Sequence, residues 1–278
     1  MQTFAIIASS RDPAGINIRN NLIELFEFAK TNEKFEDNDV YGFNIGNKQI
    51  KLYLTNDELI HSENIDRKID ADVFIFASKH QSKESTPSFA VHAIGNWGKA
   101  DYGGRDGTVC QTSPLLLKLF IQNLAAVAKS EGYTGEVVQE LTHHGPYIEK
   151  PAVFIELGSG EQQWKDAKLA SMVADSLIGG LGDYVLLDEI KEHVPVVGLG
   201  GSHYARDFTK LMLDSNYAIG HICPKHHLAS LTPELLQQAL GACFPTATAA
   251  ALDWKGLGPE KQRIKQMLDD AKIKYFKA

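Results

Sequence analysis

Apolar residues fall along this chain in two alternating rhythms. Short unbroken runs suit strands buried on both faces, and longer stretches with apolar positions three and four apart suit helices. Residues 3 to 8, 71 to 77, 152 to 157, 194 to 199 and 217 to 222 are runs of the first kind. Residues 15 to 30, 114 to 129 and 162 to 178 are stretches of the second, the last expected to stop at Gly179-Gly180-Leu181-Gly182. Further helices are predicted over 232 to 240 and 258 to 272, a hairpin over 40 to 54, and strands over 136 to 141 and 89 to 94. The alternation has no Pro-, Ser- or charge-rich linker. It predicts one domain over residues 1–278, an α/β fold in three α/β/α layers with a mixed central sheet.

The polar interruptions carry the chemistry. Glu156 lies inside the run Ala152-Val153-Phe154-Ile155-Glu156-Leu157, where a carboxylate is costly without a charged, metal or hydrogen-bonded partner. A dozen residues upstream stand His143 and His144, followed by Gly145-Pro146, whose turn would bring the chain back. The pair fits either a capped turn or a site. Adjacent residues on an extended segment point to opposite sides, so the two are expected to face apart. Of ten histidines, seven (80, 92, 143, 144, 203, 221 and 226) lie in or just beyond predicted strand ends. Such imidazoles with a buried glutamate match a hydrolytic zinc site, although no HExxH motif is present and metal-free acid/base work fits almost as well. Gly200-Gly201, after the strand at 194 to 199, could bring backbone amides close to an oxyanion or phosphate. Asp12, in the loop after the first strand, is either a helix-entry residue or a site carboxylate. Residues 98 to 112 hold several glycines among polar residues and read as a loop that could serve as a lid.

Composition narrows the setting. The chain has 278 residues, 44% of them hydrophobic, and a net charge of −7, which argues against a strongly basic nucleic-acid binder. The charge is uneven: residues 255 to 278 hold seven Lys or Arg against three acids, a net +4 that leaves the remainder at −11. That tail is either a phosphate-tracking patch or the solvated face of a terminal helix. Three widely spaced cysteines (110, 223 and 243) argue against a disulfide framework, and a reducing cytoplasm is the expected compartment. The N-terminal run lacks a basic leader and reads as a strand rather than a signal peptide, and no apolar run reaches membrane-spanning length.

Seven motifs in order resemble one family. They are Asp12-Pro13-Ala14-Gly15-Ile16-Asn17-Ile18, Ser78-Lys79-His80-Gln81-Ser82, Val91-His92-Ala93-Ile94-Gly95-Asn96, Thr142-His143-His144-Gly145-Pro146, Phe154-Ile155-Glu156-Leu157-Gly158-Ser159 with Trp164, Gly198-Leu199-Gly200-Gly201-Ser202-His203-Tyr204 and Gly220-His221-Ile222-Cys223-Pro224-Lys225. Together they are similar to the archaeal and plant type of D-aminoacyl-tRNA deacylase. The resemblance implies a phosphorylase/hydrolase-like fold, zinc as cofactor, and hydrolysis of the ester joining a D-amino acid to the terminal adenosine of tRNA. It marks His80, His92, His143, His144, Glu156, His203, Tyr204, His221 and Lys225. Ser202 and His226 depart from its usual pattern without removing a marked residue. On this basis His80, His92, His143 and His203 are expected to hold metal, His144, Glu156 and His221 to act in catalysis, and Gly200, Gly201, Tyr204 and Lys225 to bind substrate. The partner is D-aminoacyl-tRNA, the chain is expected to act as a monomer, and Lys261, Arg263 and Lys265 are candidates for the tRNA track. The rival readings are a zinc-dependent aminopeptidase or amidohydrolase acting on small molecules, and a non-catalytic tRNA- or metal-binding protein.

Overall fold

A computed structural model describes residues 2–82, 86–184 and 192–278. In chain order the elements are β1 (Gln2–Ser9), α1 (Pro13–Leu25), β2 (Ala29–Phe35), β3 (Asn38–Ile45), β4 (Lys48–Thr55), β5 (Val73–Lys79), β6 (Ser88–His92), β7 (Gly95–Asn96), β8 (Thr108–Val109), α2 (Pro114–Ser130), β9 (Glu136–Gln139), β10 (Ala152–Gly158), α3 (Glu161–Trp164), α4 (Ala167–Asp183), β11 (Val194–Leu199), α5 (Arg206–Asp214), β12 (Tyr217–Cys223), α6 (Pro233–Gly241), β13 (Ala249–Leu252), α7 (Lys261–Asp270) and β14 (Lys274–Lys277). Eight strands form the large mixed sheet, in the order β2-β3-β4-β1-β5-β10-β6-β9. The apolar runs become its interior: β1 pairs in parallel with both β4 and β5, and β5 with β10. The mixed α/β class holds, with helices flanking the sheet. Phe4, Ile6, Ile75, Val153 and Ile155 pack toward α1, α2 and α4, and alternate residues such as Ile7, Phe74, Phe76 and Phe154 pack toward the 3-10 turns around Leu59 and Ile65.

A second sheet was not foreseen. Four parallel strands, in the order β12-β11-β13-β14, stand beside the first. Val196 of β11 faces the core shared with α2 and α5, and Val197 faces α6 and α7. The two sheets meet at the end of β9. There Gln139 Nε2 donates to Ile219 O at 2.9 Å, Thr142 N donates to Ile222 O at 3.2 Å, and Glu140 forms an isolated antiparallel bridge with Tyr204.

Several boundaries differ from expectation for identifiable reasons. The helix expected over 15 to 30 ends at Leu25, and Glu27 takes a left-handed φ of 54° that turns the chain into β2. Gly179 and Gly180 do not stop α4, which runs on to Asp183. A Cβ on Gly180 would lie 2.6 Å from Phe120 Cδ1, and one on Gly179 would lie 2.4 Å from Asn123 Oδ1, so these glycines let α4 lie close against α2. Asp12 is a helix cap: its Oδ1 accepts from Gly15 N and its Oδ2 from Lys79 N, which ties α1 to the end of β5. The three cysteines are free and buried, and no helix among the described residues is long and apolar enough to cross a membrane.

Candidate active site

Strand register sets the first part of the site. In the β5–β10 pairing Glu156 stands opposite Ser78, and the Ser78 hydroxyl donates to Glu156 Oε1 at 2.7 Å. In the β10–β6 pairing Phe154 stands opposite His92, and the two rings stack at 4.9 Å. His80 follows β5 directly, its backbone oxygen accepting from Trp164 Nε1 at 2.9 Å. Gly158 leaves the space it needs, because a Cβ there would come within 2.7 Å of His80 Cβ.

The seam between the sheets supplies the rest. Past β9 the chain presents Glu140, His143 and His144, and past β11 it presents His203 and Tyr204. His143 and His144 do not face apart. His144 adopts φ 44°, which breaks the extended alternation and brings the two rings to a centroid separation of 4.3 Å, edge to face. His92 lies 4.2 Å from the first ring and 4.8 Å from the second.

Each of these three imidazoles has its Nδ1 beside a backbone carbonyl: His92 at 3.1 Å from Ala93 O, His143 at 2.8 Å from Leu141 O, and His144 at 2.6 Å from Gly145 O. A carbonyl only accepts, so each Nδ1 carries a proton, and a neutral ring held this way has its lone pair on Nε2. Burial and mutual repulsion keep two of them neutral: the His143 imidazole is held well below its ordinary value and that of His144 is pushed down to about 4.

The other imidazoles are arranged differently. His80 Nδ1 lies 3.3 Å from both Glu140 Oε1 and Glu156 Oε2, while its Nε2 is 3.0 Å from the Tyr204 hydroxyl. Burial opposes its charge, but the two carboxylates prevail and raise its pKa to about 11. His203 Nε2 lies 3.1 Å from Glu140 Oε1, and this contact raises its pKa against the effect of burial. Burial would raise both carboxylates, yet His203 and His80 hold Glu140 low, and His80 and His92 hold Glu156 low. One end of the cluster therefore holds the neutral His143 and His144 beside His92, and the other is a chain of alternating charges. Among the described residues three groups have donor atoms within 4.8 Å of one another, as a shared ion requires: His92, His143 and His144; His80, Glu140 and His203; and His92, Glu140 and Glu156.

Not every expected residue converges here. His221 is buried on β12 with Nδ1 3.2 Å from Thr142 Oγ1, and among the described residues no ion pair or ring contact joins it to the cluster. Gly200 N donates to Cys223 O at 2.9 Å, so this amide is not available to an oxyanion. Gly201 and Lys225 line a separate cleft. His226 stacks on His227 away from the cluster, at 4.6 Å. Residues 83–85 of the polar loop expected after β5 lie outside the described residues. Arg263 is a strut rather than a free cation, donating to Glu260 and to the carbonyls of Leu231 and Leu228. Glu140 was missed from sequence. Its one signal is a position three residues before His143, at the end of a strand that also carries Glu136 and Gln139.

A cluster of imidazoles and buried carboxylates at the seam of two sheets belongs to the hydrolytic class of sites. The comparisons with known proteins agree. A family profile described as D-aminoacyl-tRNA deacylase matches residues 67–276. The D-aminoacyl-tRNA deacylase of Pyrococcus furiosus is 35% identical over 280 residues, covering 98% of each chain, and that of Archaeoglobus fulgidus is 35% identical over 248 residues, covering 84% of this chain and 82% of the other. The crystal structure of a conserved protein of unknown function superposes with a TM-score of 0.87 at 30% identity, covering 99% of this chain and 95% of that one. The chain belongs to the D-aminoacyl-tRNA deacylase family. The peptidase reading is not favoured by these relatives.

Proposed function

We infer that the protein hydrolyses the ester bond of D-aminoacyl-tRNA, releasing the free D-amino acid and tRNA. The observation that carries the mechanism is the division of the cluster into three imidazoles tied to backbone carbonyls through Nδ1 and a carboxylate–imidazole chain. The donor set of His92, His143 and His144 fits zinc, since its donor atoms lie within 4.8 Å of one another and each ring is oriented by its Nδ1–H bond to backbone. This assigns His144 to the metal in place of the expected His80 and His203. When bound, zinc would polarise the ester carbonyl and lower the pKa of water.

The chain's own residues handle protons and position. Glu156 has both oxygens engaged, Oε1 by Ser78 and near His92, Oε2 by His80, so it acts as a positioning residue. Among the described residues Glu140 Oε2 has only His143 Nε2 within ion-pair distance, at 4.0 Å, which leaves it the better placed carboxylate to accept a proton. The water oxygen bonds to the acyl carbon as its proton passes to Glu140. The ester C–O bond then breaks as His203, whose side chain is 52% exposed at the mouth, donates its proton to the departing ribose oxygen. Loss of the Glu140 proton to solvent and uptake of one by the exposed His203 close the cycle. Tyr204, bonded to His80, holds the substrate side of the pocket. The cluster residues come from both sheets, which supports residues 1–278 working as one catalytic unit. A role in translation fits the cytoplasm.

Release of amino acid from matched D- and L-aminoacyl-tRNA tests the reading. Hydrolysis of the D form with the L form spared is expected. Equal rates would reject chiral proofreading, and cleavage of free peptides without tRNA would restore the peptidase alternative.

A further inference from the structure

The four-stranded sheet carries a second feature outside the histidine cluster. The loops that follow β11, β12 and β13 enclose a cleft of about 530 Å³, lined by Gly201, Ser202, Lys225, Lys255 and the turn from Asp253 to Glu260. These strands are parallel, so the cleft lies outside their carboxyl ends, where open parallel sheets take their ligands. Its charges are not balanced in practice. Asp253 Oδ1 accepts from Lys255 N at 3.1 Å and Gly256 N at 2.8 Å, and Glu260 Oε2 accepts from Arg263 Nε at 2.6 Å. Glu260 is thus paired with Arg263, whereas Asp253 keeps its charge, and Lys225 and Lys255 against Asp253 leave the cleft at a net +1. The side chains of Lys225 and Lys255 are exposed, and among the described residues neither makes an ion pair. Gly201, at φ 95°, keeps the wall free of side-chain bulk.

The cleft is not remote from the chemistry. Residues 201 and 202 form its wall, and His203, the next residue, reaches Glu140 in the cluster. A substrate with its ester at the cluster and an anionic chain leading away would meet the two lysines next.

We propose that this cleft binds the phosphodiester backbone of the single-stranded acceptor end of tRNA through Lys225 and Lys255. Lys255 thereby becomes a substrate-binding residue, and part of the cationic track lies in the cleft rather than at Arg263. The inference rests on the deacylase reading above and deepens it.

The test is steady-state hydrolysis of D-aminoacyl-tRNA by the full chain over a range of salt concentrations. The panel is wild type, Lys255→Glu, the double variant Lys225→Ala/Lys255→Ala, and Lys30→Ala as a charge control on β2, the edge strand at the far side of the large sheet. Each cleft lysine neutralised is expected to raise KM about threefold and to flatten the slope of log kcat/KM against log salt by about 0.7, the single-strand value, so roughly 1.4 for the double variant. Lys30→Ala should match wild type. Cleft variants that match Lys30→Ala in both KM and slope overturn the proposal, as do variants that lose kcat with KM unchanged. A wild-type chain that fails to hydrolyse D-aminoacyl-tRNA defeats the deacylase reading instead. In that case the Kd of uncharged tRNA across the same panel decides: weaker binding in the cleft variants supports the cleft, and equal binding overturns it.

Discussion

His92 ends β6 in the large sheet and His221 lies within β12 in the small one, and the two have different surroundings. Both are fully buried on strands, and both have Nδ1 bonded within the chain, to Ala93 O and Thr142 Oγ1 respectively. In each the Nε2 lacks a hydrogen-bond partner among the described residues. The His92 Nε2 lies 3.6 Å from Glu156 Oε1, with the rings of His143 and His144 within 5 Å. His221 has no carboxylate or second imidazole in contact among the described residues, and burial alone pushes its pKa down to about 4. A buried imidazole is therefore no evidence of a site by itself. What makes one is the convergence of other lone pairs and counter-charges, which desolvated groups tolerate only when they serve one another.

The largest effect should separate this pair. His92→Ala is expected to lower kcat/KM about 10³-fold or more, whereas His221→Gln should stay within about threefold of wild type per folded molecule, because a residue outside the cluster acts only through stability. Equal losses in the two variants would erase the distinction. Glu140→Gln comes next: loss of the proton acceptor should cost about 10²- to 10⁴-fold in kcat, with KM little changed. A rise in KM at constant kcat would instead make Glu140 a binding residue.

A third effect is on stability and belongs to His221. Its folded pKa is depressed, so the unfolded chain binds more protons between its ordinary value of 6.5 and about 4. The contribution is full above pH 6.5 and is lost as the pH falls toward 4, on the order of 3 kcal/mol over that window. Urea unfolding at successive pH values should show a shallower acid limb in His221→Gln than in wild type, and an unchanged limb would mean that this group does not titrate on unfolding. The smallest effect should be Gly180→Ala, which forces a methyl against Phe120 and should cost about 1–3 kcal/mol while leaving kcat untouched.

The same contrast explains what could be read from the residues alone. The buried strands β1, β5, β10, β11 and β12 declared themselves because strands buried on both faces must be apolar throughout. The edge strand β2 did not, since Ala29–Phe35 is polar and largely exposed, and β13 is a run of alanines with no period to read. Nothing in the periodicity says which strands pair, so the second sheet was invisible. At the site, the histidines stood out by type and by place at strand ends. Glu140 lay hidden among the polar residues of β9, and the meeting of His143 with His144 depends on one left-handed backbone angle that no residue identity announced. Gly200 misled because its amide completes the fold rather than a ligand.

The central claim is that His92, His143 and His144 hold zinc while His80 and His203, paired with Glu140, hold protons. Elemental analysis of protein purified without added metal, alongside His144→Ala and His203→Ala, tests it most directly. The account expects about one equivalent of zinc in wild type and in His203→Ala, and less than about 0.1 equivalent in His144→Ala. Zinc retained by His144→Ala and lost from His203→Ala, or a fully active wild type with less than about 0.1 equivalent of any metal, would contradict it.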